Sequence, residues 1–347
     1  MLKFIIPGQI YADSFAENVA FTLREMGYEV LTRPAIQPKQ YHSRFRNYFR
    51  LVNQKLNPQG YLPPEEKWLL ETARRERPNI LLTLTQSVSE LTLAELKRLG
   101  VTYRVAWWGD APTNLKRLDL LSSEWDALFL KDREAVNRFR GLELKAYLLH
   151  EALNPAWHKP LAGQKNNQVV VAGNYYGHRQ FLVRKLLGDG IELGLYGPNV
   201  PLWSFPEVKQ HFNGRFIVKE EKSRVFGEGL ACLNSTSFAE GNSLNCRAFE
   251  IAGAGGLQLL EHRPVIEECF EPGKEVLVYR TYQELLDQIE RAKKYPAEMV
   301  AVREAGAKRA LAEHTYRHRL TEILRTLDLA RPEVVSTRPV SLPVAGN

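Results

Sequence analysis

"NSLNCRAFEIAGAGGLQLLE", residues 242–261, reads as a polar helix start, a short helix over 246–252, a small-residue exit over 253–256 and an apolar strand over 257–260. A helix that runs through glycines straight into a buried strand is half of a parallel α/β unit. Ser243 or Asn242 is the expected N-cap. Free backbone N–H groups there, together with the helix dipole, make a seat for an anion. Arg247 and Glu250 lie three apart and share one helix face. The arginine adds charge to the seat. The glutamate, one turn deeper, offers two oxygens to the hydroxyls of a ribose. The same spacing also suits an ordinary i,i+3 ion pair worth about 0.2–0.5 kcal/mol.

Working outward, the pattern repeats. Strands are expected at 169–173, 191–197, 229–235 and 275–279, and helices at 178–190, 219–226, 281–294, 296–313 and 316–329. An earlier alternation has strands at 2–7, 28–32, 79–85, 102–108, 127–131 and 145–149. Its helices are expected at 12–27, with Asp13 or Ser14 as N-cap, and at 64–76, 92–98, 113–121 and 132–139. Runs such as "LKFIIP" (2–7) are apolar throughout, as in strands buried on both faces. Residues 150–168, rich in Pro, Asn and Gly, read as a linker. The expectation is an α/β chain with a Rossmann-like domain over 1–155 and a second over 156–330, facing across a cleft. The last helix is free to cross back, and the tail 331–347 is expected to be disordered.

Open parallel sheets bind ligands at the carboxyl ends of their strands, so the loops after strands carry the candidates. Gly8 follows the first strand where backbone can approach a phosphate, with Asp13 beyond it. That loop lacks GxGxxG, so a nicotinamide cofactor is not expected. In "WWGDAP" (107–112), Trp108 and Asp110 end a buried strand. A carboxylate in an aromatic mouth has raised proton affinity and can serve as a base. Alternatively Asp110 caps the helix near Thr113. Gly173 and Asn174 end the strand at 169–173. Arg179 falls in the first turn of the next helix, where a cation is unfavourable unless an anion joins it. Gly197, in "LYGP" (195–198), forms another strand-end turn. Ser243, Asn245, Arg247 and Glu250 complete the set. No metal-ligand pattern stands out.

The formal charge of +7 suits acidic partners: phosphorylated small molecules, anionic lipid or nucleic acid. The densest basic-aromatic run, "YHSRFRNYFR" (41–50), suits a membrane surface, nucleic acid or the acceptor side of an enzyme. No apolar run approaches the roughly 20 residues of a membrane span, and the N-terminus lacks a secretory pattern. Cys232, Cys246 and Cys269 lie far apart without a CxxC pair, which points away from zinc and disulfides and towards a reducing cytoplasm. The location expected is cytoplasmic, with peripheral membrane association through 41–50.

Residues 245–289 and 305–324 together resemble the C-terminal domain of GT-B glycosyltransferases, above all the group related to the spore-maturation protein CgeB. "VVVAGNYYGHRQFLVRKLL" (169–187) resembles the opening of that domain, and "WWGDAP" a motif of the group's N-terminal domain. The resemblance implies two Rossmann-like domains, a nucleotide-sugar donor held mainly by the second, and catalysis without an essential metal or other cofactor. Glu250 matches the second glutamate of a pair spaced eight apart, the one that contacts the donor ribose. The first position falls on Asn242, with Glu240 near but out of step, so the stereochemical outcome stays open. The implied reaction moves a sugar from a nucleoside-diphosphate donor of UDP or dTDP type to a hydroxyl of a protein, polysaccharide or lipid-linked glycan. Asn245 and Arg247 would stabilise the leaving diphosphate and Asp110 would activate the acceptor. No nucleic-acid partner is expected. Two rivals remain: a GT-B-like sugar-nucleotide epimerase, which needs no acceptor groove, and a non-catalytic polyanion-binding protein, whose affinity would fall steeply with salt.

Overall fold

A computed structural model describes residues 1–37, 62–111 and 119–329. Six strands come first: β1 (Lys3–Ile6), β2 (Glu29–Thr32), β3 (Ile80–Leu84), β4 (Tyr103–Trp108), β5 (Ala127–Leu130) and β6 (Ala146–Leu148). They pair in parallel in the order β2-β1-β3-β4-β5-β6. Between them run helices α1 (Phe15–Glu25), α2 (Pro64–Glu76), α3 (Glu90–Arg98) and α4 (Arg133–Gly141). A second parallel sheet, in the order β11-β10-β9-β7-β8, holds β7 (Val169–Ala172), β8 (Leu193–Tyr196), β9 (Ala231–Asn234), β10 (Gln258–Glu261) and β11 (Leu277–Tyr279). Its helices are α5 (Gly177–Gly188), α6 (Pro206–His211), α7 (Lys219–Glu228), α8 (Cys246–Gly253), α9 (Ile266–Cys269), α10 (Tyr282–Lys294), α11 (Pro296–Glu313) and α12 (Tyr316–Thr326). The architecture is α/β with two Rossmann-like sheets, as the apolar strand runs predicted.

The strand orders fix where a ligand can sit. In the second sheet the chain steps from β7 to β8 on one side and returns to β9 on the other. The crevice at that reversal opens between the loops after β7 and β9. The segment 242–261 therefore delivers α8 to the rim of this crevice.

Strand alternation decides the fate of the two tryptophans. Trp107 faces one core, edge-on to Phe15 with ring centroids 4.9 Å apart, and Tyr316 from α12 packs on it at 5.9 Å. Trp108 faces the opposite core with Trp125 and Leu120. Both are buried, at 0% and 5% exposure. The aromatic mouth expected around Asp110 is absent at these positions, and Trp108 is a core residue rather than a phosphate or acceptor contact. Tyr316, Leu320, Ile323 and Leu324 of α12 join the core of the first sheet, so the last helix crosses back over it.

Two expected caps are reassigned. Ser14, not Asp13, caps α1 by accepting from the Glu17 amide. Asn245, not Ser243 or Asn242, caps α8 by accepting from the Ala248 amide at 3.2 Å. The two short helices α6 and α9 and a 3-10 turn at Phe238–Glu240 were not expected. Segments of three to six residues are too short to complete an apolar period. The basic-aromatic run 41–50, Pro112, the start of the helix expected at 113–121 and the tail 331–347 lie outside the described residues. Among the described residues no helix is long and apolar enough to cross a membrane.

Candidate active site

The start of α8 is where three groups of charged side chains meet. The first surrounds Gly173, at the end of β7. Its φ of +113° is a conformation that only glycine adopts without strain. A Cβ there would strike the Arg247 guanidinium and lie 3.2 Å from Nη1 of Arg179. Gly197, after β8, packs on the Gly173 carbonyl with no room for a side chain. The strand-end glycines thus let two arginines converge on one point of backbone.

Those arginines differ in kind. Arg179 is 1% exposed. Its Nε donates to Ser235 Oγ at 3.0 Å. Nη1 donates to the carbonyls of Asn174 at 2.7 Å and Ala172 at 3.4 Å. Nη2 donates to the Tyr176 hydroxyl at 2.9 Å and to the Ser235 carbonyl. All five N–H groups are therefore committed, and Arg179 braces the loops after β7 and β9 instead of contacting a phosphate directly. Burial, and then the neighbouring Arg247, push its pKa down to about 10. Asn174 contributes its carbonyl to this brace. Arg247, half-buried at the second position of α8, has no hydrogen bond or ion pair among the described residues. No carboxylate among them pairs with either guanidinium. Two converging cations with no counter-ion attract an anion.

The second group runs the other way from α8. Glu250 is 3% exposed, and Lys222 of α7 lies 3.0 Å from its Oε2. The same ammonium lies 2.5 Å from Oδ2 of Asp13, in the loop between β1 and α1. Asp13 also accepts from the Asn18 side-chain amide, the Trp157 indole and the Lys219 amide. His158 Nδ1 accepts from the Asn154 amide, so Nε2 carries the proton and donates to Asp13. Burial opposes ionisation of Asp13, but Lys222 and His158 outweigh it and hold the carboxyl well below its usual range. Asp13, His158 and Glu250 place possible ligand atoms within 4.8 Å of one another. Lys222 lies between the carboxylates and Nε2 is protonated, so the set fits an ammonium better than a metal ion. Two expectations change here. Asp13 is a buried inter-sheet partner, not an open phosphate or acceptor contact. Glu250 has its carboxylate on Lys222, so neither the ion pair with Arg247 nor an open seat for ribose hydroxyls is present.

The third group involves residues that sequence reasoning missed. Lys131, at the end of β5, is 2% exposed, with Nζ 2.7 Å from Glu240 and 3.5 Å from Glu151. Burial, offset by Lys131 and reinforced by Glu240 and Asp110, raises Glu151 to about 7; the Cys246 amide at the start of α8 faces it. A Cβ on Gly109 would meet Glu151 Oε1 at 2.6 Å, which seats this carboxylate beside Asp110. Asp110 itself is exposed, and its pKa is raised by surrounding protein and by Glu240, against the pull of Lys131. The Cys246 thiol lies between Glu151 and Glu250. Burial and these two carboxylates push its pKa well up, so it stays a thiol.

The remaining candidates are accounted for simply. Asn245 exchanges side-chain amide bonds with Asn234, at the end of β9, at 3.1 and 3.2 Å while capping α8. Ser243 is fully buried and donates to the Glu240 carbonyl at 2.6 Å, which ties the loop rather than facing a ligand. Gly8 is buried beside Ala16, 3.2 Å from where its Cβ would stand. A cavity of about 630 Å³ lies elsewhere, between residues 160–167 and α11. It contains none of the candidates, and its buried cation Arg303 donates to the carbonyls of residues 227, 229, 230 and 255.

Residues 157–325 match a family model described as "Glycosyl transferase-like". No curated protein matches the chain. Solved structures with similar folds include Anabaena HepE in complex with UDP-glucose. It is 11% identical with a TM-score of 0.63, over 94% of this chain and 100% of that one. The sucrose-phosphate synthase of Thermosynechococcus elongatus is 11% identical with a TM-score of 0.60, over 94% and 99%. A putative UDP-N-acetylglucosamine 2-epimerase from Listeria monocytogenes is 12% identical with a TM-score of 0.53, over 96% and 98%. These likenesses show the GT-B fold, which transferases and an epimerase share. Residues 157–325 are thus glycosyl transferase-like in sequence as well as part of that fold.

Proposed function

We propose that the chain transfers a sugar from a nucleoside-diphosphate donor, of UDP or dTDP type, to a hydroxyl of a glycan, protein or lipid-linked acceptor. Residues 156–330 hold the donor, residues 1–155 face the acceptor, and the chain is kin to the CgeB-related group. The observation that carries this is the pair Arg179 and Arg247 converging on Gly173 with no carboxylate among the described residues to neutralise them. The pyrophosphate docks against the Arg247 guanidinium beside Gly173, with the buried charge of Arg179 behind it.

The chemistry follows from that placement. Asp110 takes the proton of the acceptor hydroxyl, its raised proton affinity suiting it to the task. The acceptor oxygen bonds to the anomeric carbon as the bond from that carbon to the phosphate oxygen breaks. The electron pair leaves with the nucleoside diphosphate, and Arg247 stabilises the charge that develops there. One displacement of this kind inverts the anomeric centre. The test is calorimetric titration with UDP, dTDP and GDP, followed by turnover of Asp110→Asn. One diphosphate should bind, and the variant should bind it normally while losing at least about a hundredfold in kcat. Unaltered turnover removes Asp110 from the mechanism; no binding of any diphosphate removes the donor reading.

A further inference from the structure

Residues 240–242, on the loop that leads into α8, are held from both halves of the chain, and two of their contacts come from the other sheet. Three consecutive residues at the end of β5 reach across, two of them to this loop. Lys131 pairs with Glu240 at 2.7 Å. Asp132 accepts from the Asn242 amide at 3.1 Å through Oδ2, while its Oδ1 caps α4 through the Ala135 amide at 2.9 Å. Arg133 meets Glu268 at 2.8 Å. The last pair is exposed on both sides and contributes little. The first two differ in weight. The Lys131 ammonium is 1% exposed and among the described residues it pairs with Glu240 and Glu151. If the two sheets separate, Glu240 leaves and its pairing is lost. Asp132 ties a helix start in one half of the chain to a backbone amide in the other. On its own side the loop has the Ser243 hydroxyl on the Glu240 carbonyl, Arg263 on the Gly241 carbonyl, the Glu240 amide on the Ser237 carbonyl and the Val265 amide on Asn242 Oδ1 at 2.9 Å, so the cross-sheet contacts add to a loop already tied locally.

We propose that Lys131 and Asp132 are positioning residues for the donor seat: from the first sheet they help fix residues 240–242 and so the approach to α8. This rests on the donor reading above, and the test separates the two. UDP affinity by calorimetry and amide hydrogen exchange over 236–248 are compared in the full chain for wild type, Lys131→Met, Lys131→Arg and Asp132→Asn. Lys131→Met should weaken UDP binding about tenfold, and Asp132→Asn about fivefold. Both should speed exchange in the loop, and Lys131→Arg should restore both readings. Unchanged affinity and exchange in the Met and Asn variants overturn the proposal. If Lys131→Met does not fold, Asp132→Asn decides alone, since asparagine still caps α4. If wild type binds none of UDP, dTDP and GDP, the donor reading falls and exchange decides the clamp: faster in Asp132→Asn upholds it, unchanged overturns it.

Discussion

Arg247 and Glu250 sit three residues apart on α8 and turn to different neighbours: the arginine reaches the backbone of Gly173, and the glutamate pairs with Lys222 at 3.0 Å. One helix start thereby divides an anion seat from an inter-sheet ion cluster. The first of these requires a free cation and the second a satisfied anion, so substitutions on the two sides should read out differently.

Arg247→Met should weaken UDP binding at least about tenfold, the loss of a charge-assisted hydrogen bond. Its melting temperature should barely move, because the guanidinium has no hydrogen-bond or ion-pair partner among the described residues. Arg179→Met removes five committed donors from a buried site and should cost about 3 kcal/mol of stability or more. Calorimetry and denaturant unfolding of both variants check this. Equal losses in both would erase the distinction between contact and brace.

At Gly173 the backbone tolerates no side chain. Gly173→Ala forces φ of +113° on an L-residue and drives a methyl into Arg247. It should lower stability by about 1–3 kcal/mol and abolish measurable UDP binding. A variant that binds UDP normally would place the pyrophosphate elsewhere.

Lys222→Met leaves Asp13 and Glu250 without the ammonium between them, with the His158 imidazole 3.2 and 3.9 Å from the two carboxylates. The expected cost is about 3–5 kcal/mol at neutral pH. Asp13 is held below its unfolded value of 3.8, so its contribution to the wild type is present above that value and is lost on further acidification. The gap between variant and wild type should therefore narrow below pH 4. Urea unfolding from pH 3 to pH 8 measures it, and a constant gap would show that Asp13 is not the linked group.

Glu151 has the opposite sign. Its pKa rises from 4.5 when unfolded to about 7 when folded, so the folded chain binds that proton more tightly. The resulting stability is complete below about 4.5 and is lost as pH rises through 7, a swing of about 3 kcal/mol. Glu151→Gln cannot ionise. Its stability relative to wild type should rise between pH 5 and pH 8, as read by denaturant melts across that range. A pH-independent difference would assign the titration to another carboxyl.

Several site residues are legible in the sequence. Gly173, Gly197 and Arg247 follow from the rule that ligands gather at strand ends and helix starts. The same rule offers Lys131, a lysine closing the apolar run "ALFL", and could have found it. Glu151, two positions past the strand expected at 145–149, falls under the same rule, whereas Lys222, inside the helix expected at 219–226, gives no such signal. The cap of α8 is ambiguous for another reason. Asn242, Ser243 and Asn245 are all good caps, and the choice falls to Asn245 because only it also meets Asn234.

Local order, the two runs of strands and helices and their parallel pairing, was set by apolar periodicity within windows of about ten to twenty residues. Alternation along β4 even places Trp107 and Trp108 on opposite faces, though which cores would receive them is not a local property. Tertiary structure alone decided the partners of the buried charges. Asp13 meets the amide of Lys219 across 206 positions, and Lys131 meets Glu240 across the two sheets. A buried ion is stable only where an opposite charge is carried to it in space, and chain neighbours say nothing about which distant charge that will be.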